Sequence, residues 1–419
     1  MKTTYLLLCL LGIGSVSGAG QTKQPQKIGD FIESTSYNEH RRNATRSLQY
    51  TPDGDDFVCI NGKNRFTRAL YGSHTAFRLE TSDRPVFAAY TKENPKHICF
   101  KLQTSGGTVA LDSTEHCESR YTAGRRSYSL SDPAFGGGSL SITTWALPDK
   151  EGAIWQFNAR NFKEFHPVLL ASISEIRNSK LNRNGDMGAD PADSFEAPLQ
   201  PQQLQSFPVQ IDGTLYILLE NQELRTLTTA EGENLFKKAE AARSETASRI
   251  RIETPDPYFN TLGGTLAMAA DGIWDGEVWL HGAIGWRMPL SGWRAAYTGD
   301  VLGWHDRART HFNAYAASQV TEVPNTLPHP AQDSALHLAR SVKKWGTPQY
   351  SNGYICRNPH RNNQMHHYDM NLCYIDELLW HFKWTGDLDY VRQMWPVITR
   401  HLAWEKLNYD PDNLSLIHI

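Results

Sequence analysis

A chain of 419 residues, 40% hydrophobic and 21% charged, has ordinary globular composition and exceeds the usual length of one domain, so two domains are expected. Its formal net charge of −3 offers no basic field to hold phosphate backbones, which excludes nucleic acid as the expected partner.

Lys2 is followed by an apolar run from Tyr5 to Ile13 and then by small residues from Gly14 to Gly20, the pattern of a secretory signal peptide over residues 1–20. The run is about half of the ~20 residues that a bilayer span needs. Cys9 lies inside it, not at a cleavage point where lipid could be attached. The mature protein is therefore expected to be secreted, periplasmic or extracellular, with no membrane anchor. Cys59, Cys99, Cys117, Cys356 and Cys373 remain after cleavage, an odd number without CxxC spacing, so neither a zinc knuckle nor a full disulfide framework fits. Cys59 and Cys99 are expected as buried free thiols.

Residues 21–228 read as a β-sandwich. Short runs of β-branched and aromatic residues alternate with turn signals. Phe57 to Ile60 leads through Asn61-Gly62 into Phe66 to Tyr71, and Val209 to Ile211 leads through Asp212-Gly213 into Thr214 to Leu219, with Pro208 opening the first of these strands. Further strands are expected at Arg84 to Tyr90, His97 to Leu102, Thr108 to Leu111, Leu140 to Trp145, Ile154 to Phe157 and Leu169 to Ile173. Asn182 to Asp190 gathers Asn, Asp and Gly but lacks the alternating carboxylates and closing Glu of a calcium loop, so a surface loop is expected there. No cofactor or metal is expected.

Residues 229–250 are rich in Ala, Glu, Lys and Arg, the composition of an exposed linking helix, and the linking segment is placed over 229–254, where Pro255 and Pro257 end it. A helical domain follows over 255–413, with helices expected at 258–271, 300–318 and 331–345. Two more carry Leu372, Ile375, Leu379, Phe382 and then Val391, Met394, Ile398, Leu402, joined by the turn Thr385-Gly386-Asp387. Long connections at 272–299 and 346–367 would share one end of such an array and wall a pocket. Their contents suit sugar binding, because aromatic faces cover pyranose C–H faces while carboxylates, His and Arg hold hydroxyls. Expected substrate-binding residues are Trp274, Trp279, His281, Trp286, Arg287, Trp293, Arg294, Asp300, His366, His367, Tyr368 and Asp369. Asp300 and Asp369 could equally be helix caps, and Trp380, Trp395 and Trp404 are read as core.

The stretch from Asp271 to Arg307, with its Gly-Trp-Arg, Tyr-Thr-Gly-Asp and Gly-Trp-His-Asp elements, resembles the opening of the catalytic toroid of six-hairpin glycosidases. Tyr368 through Trp404 resembles the same family. The resemblance is closest to a secreted bacterial branch distantly similar to α-L-rhamnosidases. It implies a β-sandwich followed by an α/α toroid, incomplete in this chain. It also implies hydrolysis of a poly- or oligosaccharide by two carboxyl groups, commonly with inversion. Glu277, beside Trp274, Val278 and Trp279, is the first choice of acid because those surroundings would raise its pKa, with Asp275 and Asp271 as alternatives. A phosphorylase using Arg287 and Arg294, a lyase using His281, His366 or Tyr368 as base, and a non-catalytic glycan binder are the competing readings. A toroid needs on the order of 350 residues, whereas 165 run from Pro255 to the end. Residues 414–419, Leu-Ser-Leu-Ile-His-Ile, resemble translated adapter sequence rather than native protein. The chain is thus expected to be truncated, poorly soluble and inactive.

Overall fold

The computed structural model describes residues 50–63, 68–72, 77–91, 94–148, 150–162, 166–175, 204–282, 288–292, 294–327, 332–333, 338–339, 343–366 and 369–409. All fall within one unit, Gln49–Ile419. The fold opens with two antiparallel sheets. The first has eight strands in the order β1 (Thr51–Asp53), β2 (Asp56–Ile60), β8 (His116–Thr122), β9 (Arg125–Ser131), β10 (Ser139–Ala146), β11 (Gly152–Arg160), β14 (Thr214–Glu220) and β15 (Glu223–Leu227). The second runs β13 (Gln205–Pro208), β12 (Val168–Glu175), β6 (Asn94–Thr104), β5 (Val86–Thr91), β4 (Phe77–Thr81) and β3 (Arg68–Tyr71), with β7 (Gly107–Ala110) also paired to β6.

Burial alternates along β9 and β10 with the two-residue period of a strand that has one face in a core. The buried faces of both sheets meet in one aromatic cluster. Phe87 of β5 meets Trp155 of β11 edge-on at 5.4 Å between centroids, and Phe100 of β6 meets Phe157 at 5.1 Å. Such T-shaped pairs set positive ring edges against negative faces and fix the register of the two layers. The arrangement is that of a β-sandwich.

The expected hairpin at Val209 to Leu219 is not formed. The chain instead changes sheets there: β13 pairs with β12 in the second sheet, whereas β14 pairs with β11 in the first. Pro208 closes its strand rather than opening one, at the sheet edge where a missing N–H costs no ladder bond. Asp212 takes the left-handed backbone (φ 54°) that turns the chain between layers. Residues 182–190 lie outside the described residues, as do 1–20 and 414–419.

Helix α1, Thr229–Ala247, begins with a capping box in which Thr228 and Glu231 satisfy each other's amides. It is docked rather than exposed. Leu235, Phe236 and Ala239 pack on Trp145, Leu147, Ile154, Tyr216 and Leu218 of the eight-stranded sheet's outer face, and Glu240 accepts a 2.7 Å bond from Trp145 Nε1.

The helices α2 (Pro257–Asn260), α3 (Leu262–Gly272), α4 (Tyr297–Val301), α5 (His305–Ala316), α6 (Asp369–Thr385) and α7 (Leu388–Asn408) follow. The single helix expected at 300–318 is broken after Val301, because Gly303 adopts φ 74°. The helix expected at 331–345 is contradicted within the described residues, where β16 (Gln332–Asp333) pairs with β17 (Leu338–Ala339). Asp387 caps α7 by accepting from the amides of Asp389 and Tyr390. No helix among the described residues is long and apolar enough to cross a membrane.

Candidate functional site

The two long connections come together. Oε1 of Glu277 lies 2.6 Å from Nε2 of His360, and Nη2 of Arg357 lies 2.7 Å from Sδ of Met288. The first connection folds back on itself: Trp274 bridges Trp279, Leu280 bridges Pro289, and the Asp275 carboxylate accepts from the amides of Glu277 and Val278, closing the turn between the two tryptophans. Tyr350 and Tyr354 hold the second by bonding the backbone oxygen and amide of His366.

This geometry corrects several expectations. Trp274 and Trp279 are buried in the helical core, their rings 4.7 Å apart. Gly299 of the Tyr-Thr-Gly-Asp element explains how, since a Cβ there would lie 2.4 Å from Cη2 of Trp279. Gly292 of the Gly-Trp-Arg element does the same for α6, where a Cβ would meet the Met370 carbonyl at 2.1 Å. Conversely, Trp380 and Trp395, read as core, are 46% and 56% exposed, and only Trp404 of that trio is buried.

Glu277 is half-exposed, so the sheltered surroundings required of it as a proton-holding acid are absent. Asp275 caps a turn. Asp271 is buried and committed to Arg307 at 2.7 Å, whose guanidinium stacks on Trp304. Asp300 is neither exposed nor a cap: it sits inside α4 and faces two imidazoles, Nδ1 of His305 at 2.7 Å and Nδ1 of His381 at 2.9 Å. His281 is half-buried, and burial pulls its pKa down. His366 is held through its backbone, Asp369 is the first residue of α6, and Arg294 is exposed with a left-handed backbone, φ 64°. Trp286, Arg287, Trp293, His367 and Tyr368 lie outside the described residues.

Two buried polar residues of the helical region were not singled out from the sequence, Glu377 and Tyr315. Glu377 projects from α6 into the interior at 2% exposure, and neither carboxyl oxygen has a well-formed hydrogen bond. Burial holds it protonated well above the usual carboxylate range, reinforced by Asp376; the nearby amides of Ala296 and Arg294 oppose this without prevailing. Tyr315 of α5 is fully buried, its hydroxyl without a partner. Burial raises its pKa far above the phenol range, and the charges of Asp275, Glu377, Arg357 and Glu277 all reach it. A signal for Glu377 existed: it occupies the interior stripe of α6 with Tyr374, Leu378 and His381, where an acidic residue is out of place. Among the described residues, no group of three or more His, Cys, Asp or Glu could hold a metal ion.

The family model described as a domain of unknown function (DUF4450) matches residues 95–249, which run from β6 through α1. The matched stretch joins the sandwich to its docked helix and ends before the carboxyl-bearing segments. No curated protein matches the chain.

Proposed function

We propose that this protein is an exported glycoside hydrolase acting on a poly- or oligosaccharide, and that its helices belong to an α/α toroid. The observation that carries the reading is the contrast between a buried carboxyl group and others open to solvent. Glu377 is buried and protonated, whereas Glu277 is half-exposed and Asp275 stands in an adjoining turn. A carboxyl group whose pKa burial raises is suited to donate a proton, and one open to solvent to activate water. Glu377 is therefore assigned as proton donor to the leaving oxygen, and Glu277 or Asp275 as the carboxylate that activates water. Glu277 thereby exchanges the acid role for the basic one.

The toroid is supported by the helical hairpin α6–α7, whose outward row of Leu379, Trp380, Trp384, Trp395 and Leu402 stands exposed, as does a face that further hairpins cover in such a ring. Export is supported by the apolar run from Tyr5 to Ile13. The test is incubation of the complete protein with plant and host polysaccharides, with and without phosphate. New reducing ends without phosphate are expected. Dependence on phosphate, or ultraviolet absorbance from an unsaturated product, would replace hydrolysis by phosphorolysis or elimination.

A further inference from the structure

A cleft of about 720 Å³ opens where the sandwich meets the helices. Its walls are the β1–β2 turn at Gly54 and Asp55, the β8–β9 turn at Ala123, the last turn of α1, the segment 250–253 and the start of α3. Small residues line its base: a Cβ on Gly264 would lie 2.9 Å from Cβ of Ala123 and 3.2 Å from the Ala247 carbonyl oxygen. The cleft stands at the first turn of α3, whereas the turn carrying Asp275 and Glu277 follows the last one. The 11 residues of α3 separate the two places by about 16 Å.

The polar groups of this space suit one kind of ligand. The Arg243 side chain, 12% exposed, is fixed in place: Nε and Nη2 donate to Glu240 at 2.9 and 2.6 Å, and Nη1 to the Ala123 carbonyl at 2.9 Å. A guanidinium has five N–H donors, so one hydrogen on each terminal nitrogen of Arg243 remains to be used. Asp55 and Ser244 add side-chain oxygens that bond no other described residue. Arg251 and Glu253, at the rim, are paired only at 3.5 Å. The two arginines balance Asp55 and Glu253, so the cleft offers no field for a strongly charged ligand. Among the described residues, no aromatic side chain lines it for a flat apolar one. The match is a neutral molecule that donates and accepts at neighbouring atoms, as vicinal hydroxyl groups do. The volume falls in the upper half of the ~300–1,000 Å³ range of small-molecule sites, which suits an oligosaccharide better than a single small polyol.

We propose that this cleft is a carbohydrate-binding site separate from the one above, and that it takes a neutral oligosaccharide through Arg243, Asp55, Ser244 and Arg251. The inference goes beyond the hydrolase reading and does not rest on it, since neither Glu377 nor Glu277 lines the cleft.

The test is saturation-transfer NMR on the purified chain with neutral trisaccharides of glucose, galactose, mannose and xylose, and with trigalacturonate as the charged control. The parent is compared with Ser244→Trp, Asp55→Ala and Arg251→Ala. At least one neutral trisaccharide is expected to bind with a dissociation constant on the order of a millimolar, weak because no ring stacks on an aromatic face. Ser244→Trp fills the cleft and Asp55→Ala removes a charged acceptor, and each should weaken that binding about tenfold. Arg251→Ala should weaken it less, because its guanidinium is open to water. All three positions are exposed, so the variants are expected to fold, which circular dichroism checks. Absence of binding by every neutral trisaccharide would overturn the inference. So would binding unchanged by Ser244→Trp and Asp55→Ala, or tighter binding of trigalacturonate. The hydrolase reading is scored separately, by new reducing ends, and none of these outcomes decides it.

Discussion

At the residue scale, exposure separates two glutamates that local sequence does not. Glu277 is flanked by aromatic and aliphatic residues, yet the turn closed by Asp275 sends Val278 and Trp279 inward and leaves Glu277 outside. Neighbours along the chain report composition, while burial depends on which way a turn faces. Gly299 is the converse case, a small residue whose importance is visible only with the Trp279 ring against it. Gly299→Ala is expected to destabilise the helical region by about 1–3 kcal/mol, because the ring has to shift in a filled core; urea denaturation measures it. A second prediction concerns Glu80, which lies fully buried in β4 near Arg78 and whose carboxyl is pushed up to about 7. The raised folded-state value means that the neutral form is the stabilised one. Its contribution is complete below pH 4.5, the ordinary carboxyl value, and is lost as pH rises to about 7. The loss is roughly 3 kcal/mol. Glu80→Gln should flatten the stability profile over that interval, and an unchanged profile in urea melts at pH 5 and pH 8 would refute the account.

At the scale of elements, individual strands were readable, but neither hairpin expected at Asn61-Gly62 or Asp212-Gly213 forms, because the strands on either side join different sheets. Leu140 to Trp145 and Ile154 to Phe157 fall within β10 and β11, whose inner face fills the sandwich core while α1 covers Trp145 and Ile154 on the outer one. Which sheet the segment after Gln205 joins is decided by pairing with β12, and nothing local in Val209 to Gly213 encodes that choice. The polar composition of α1 hid its docking in the same way, because three apolar residues suffice when the sheet beneath offers Trp145 and Tyr216. Its N-terminus was nevertheless encoded, in Thr228 and Glu231. Thr228→Ala removes one half of the capping box and should cost about 1 kcal/mol. Phe236→Ala, which strips the contact with Trp145 at 4.0 Å between centroids, should cost more than that. Thermal melts that rank the two in the opposite order would argue against a docked helix.

At the scale of the molecule, the sandwich and the helices after it were legible from a change in periodicity near residue 230, and so was the meeting of the two long connections. The composition of the site was legible only in part. The expected aromatic wall became core, as Trp274 and Trp279 show, and the carboxyl proposed as proton donor is Glu377 inside a helix in place of Glu277 in a loop. The second shift has a physical basis: a loop acid is solvated on several sides, whereas a helix can carry one into the interior on the stripe that also holds Tyr374 and Leu378. The central claim is that Glu377 delivers the proton in glycoside cleavage. The most direct measurement is the turnover of the complete protein, on whichever polysaccharide it cleaves, compared with that of its Glu377→Gln variant. Glutamine preserves shape and should relieve rather than increase the cost of burial, so the variant is expected to fold at least as stably. Its turnover is expected to fall by about a hundredfold or more. Turnover within about tenfold of the parent, a loss under about 1.4 kcal/mol on the transition state, would contradict the assignment.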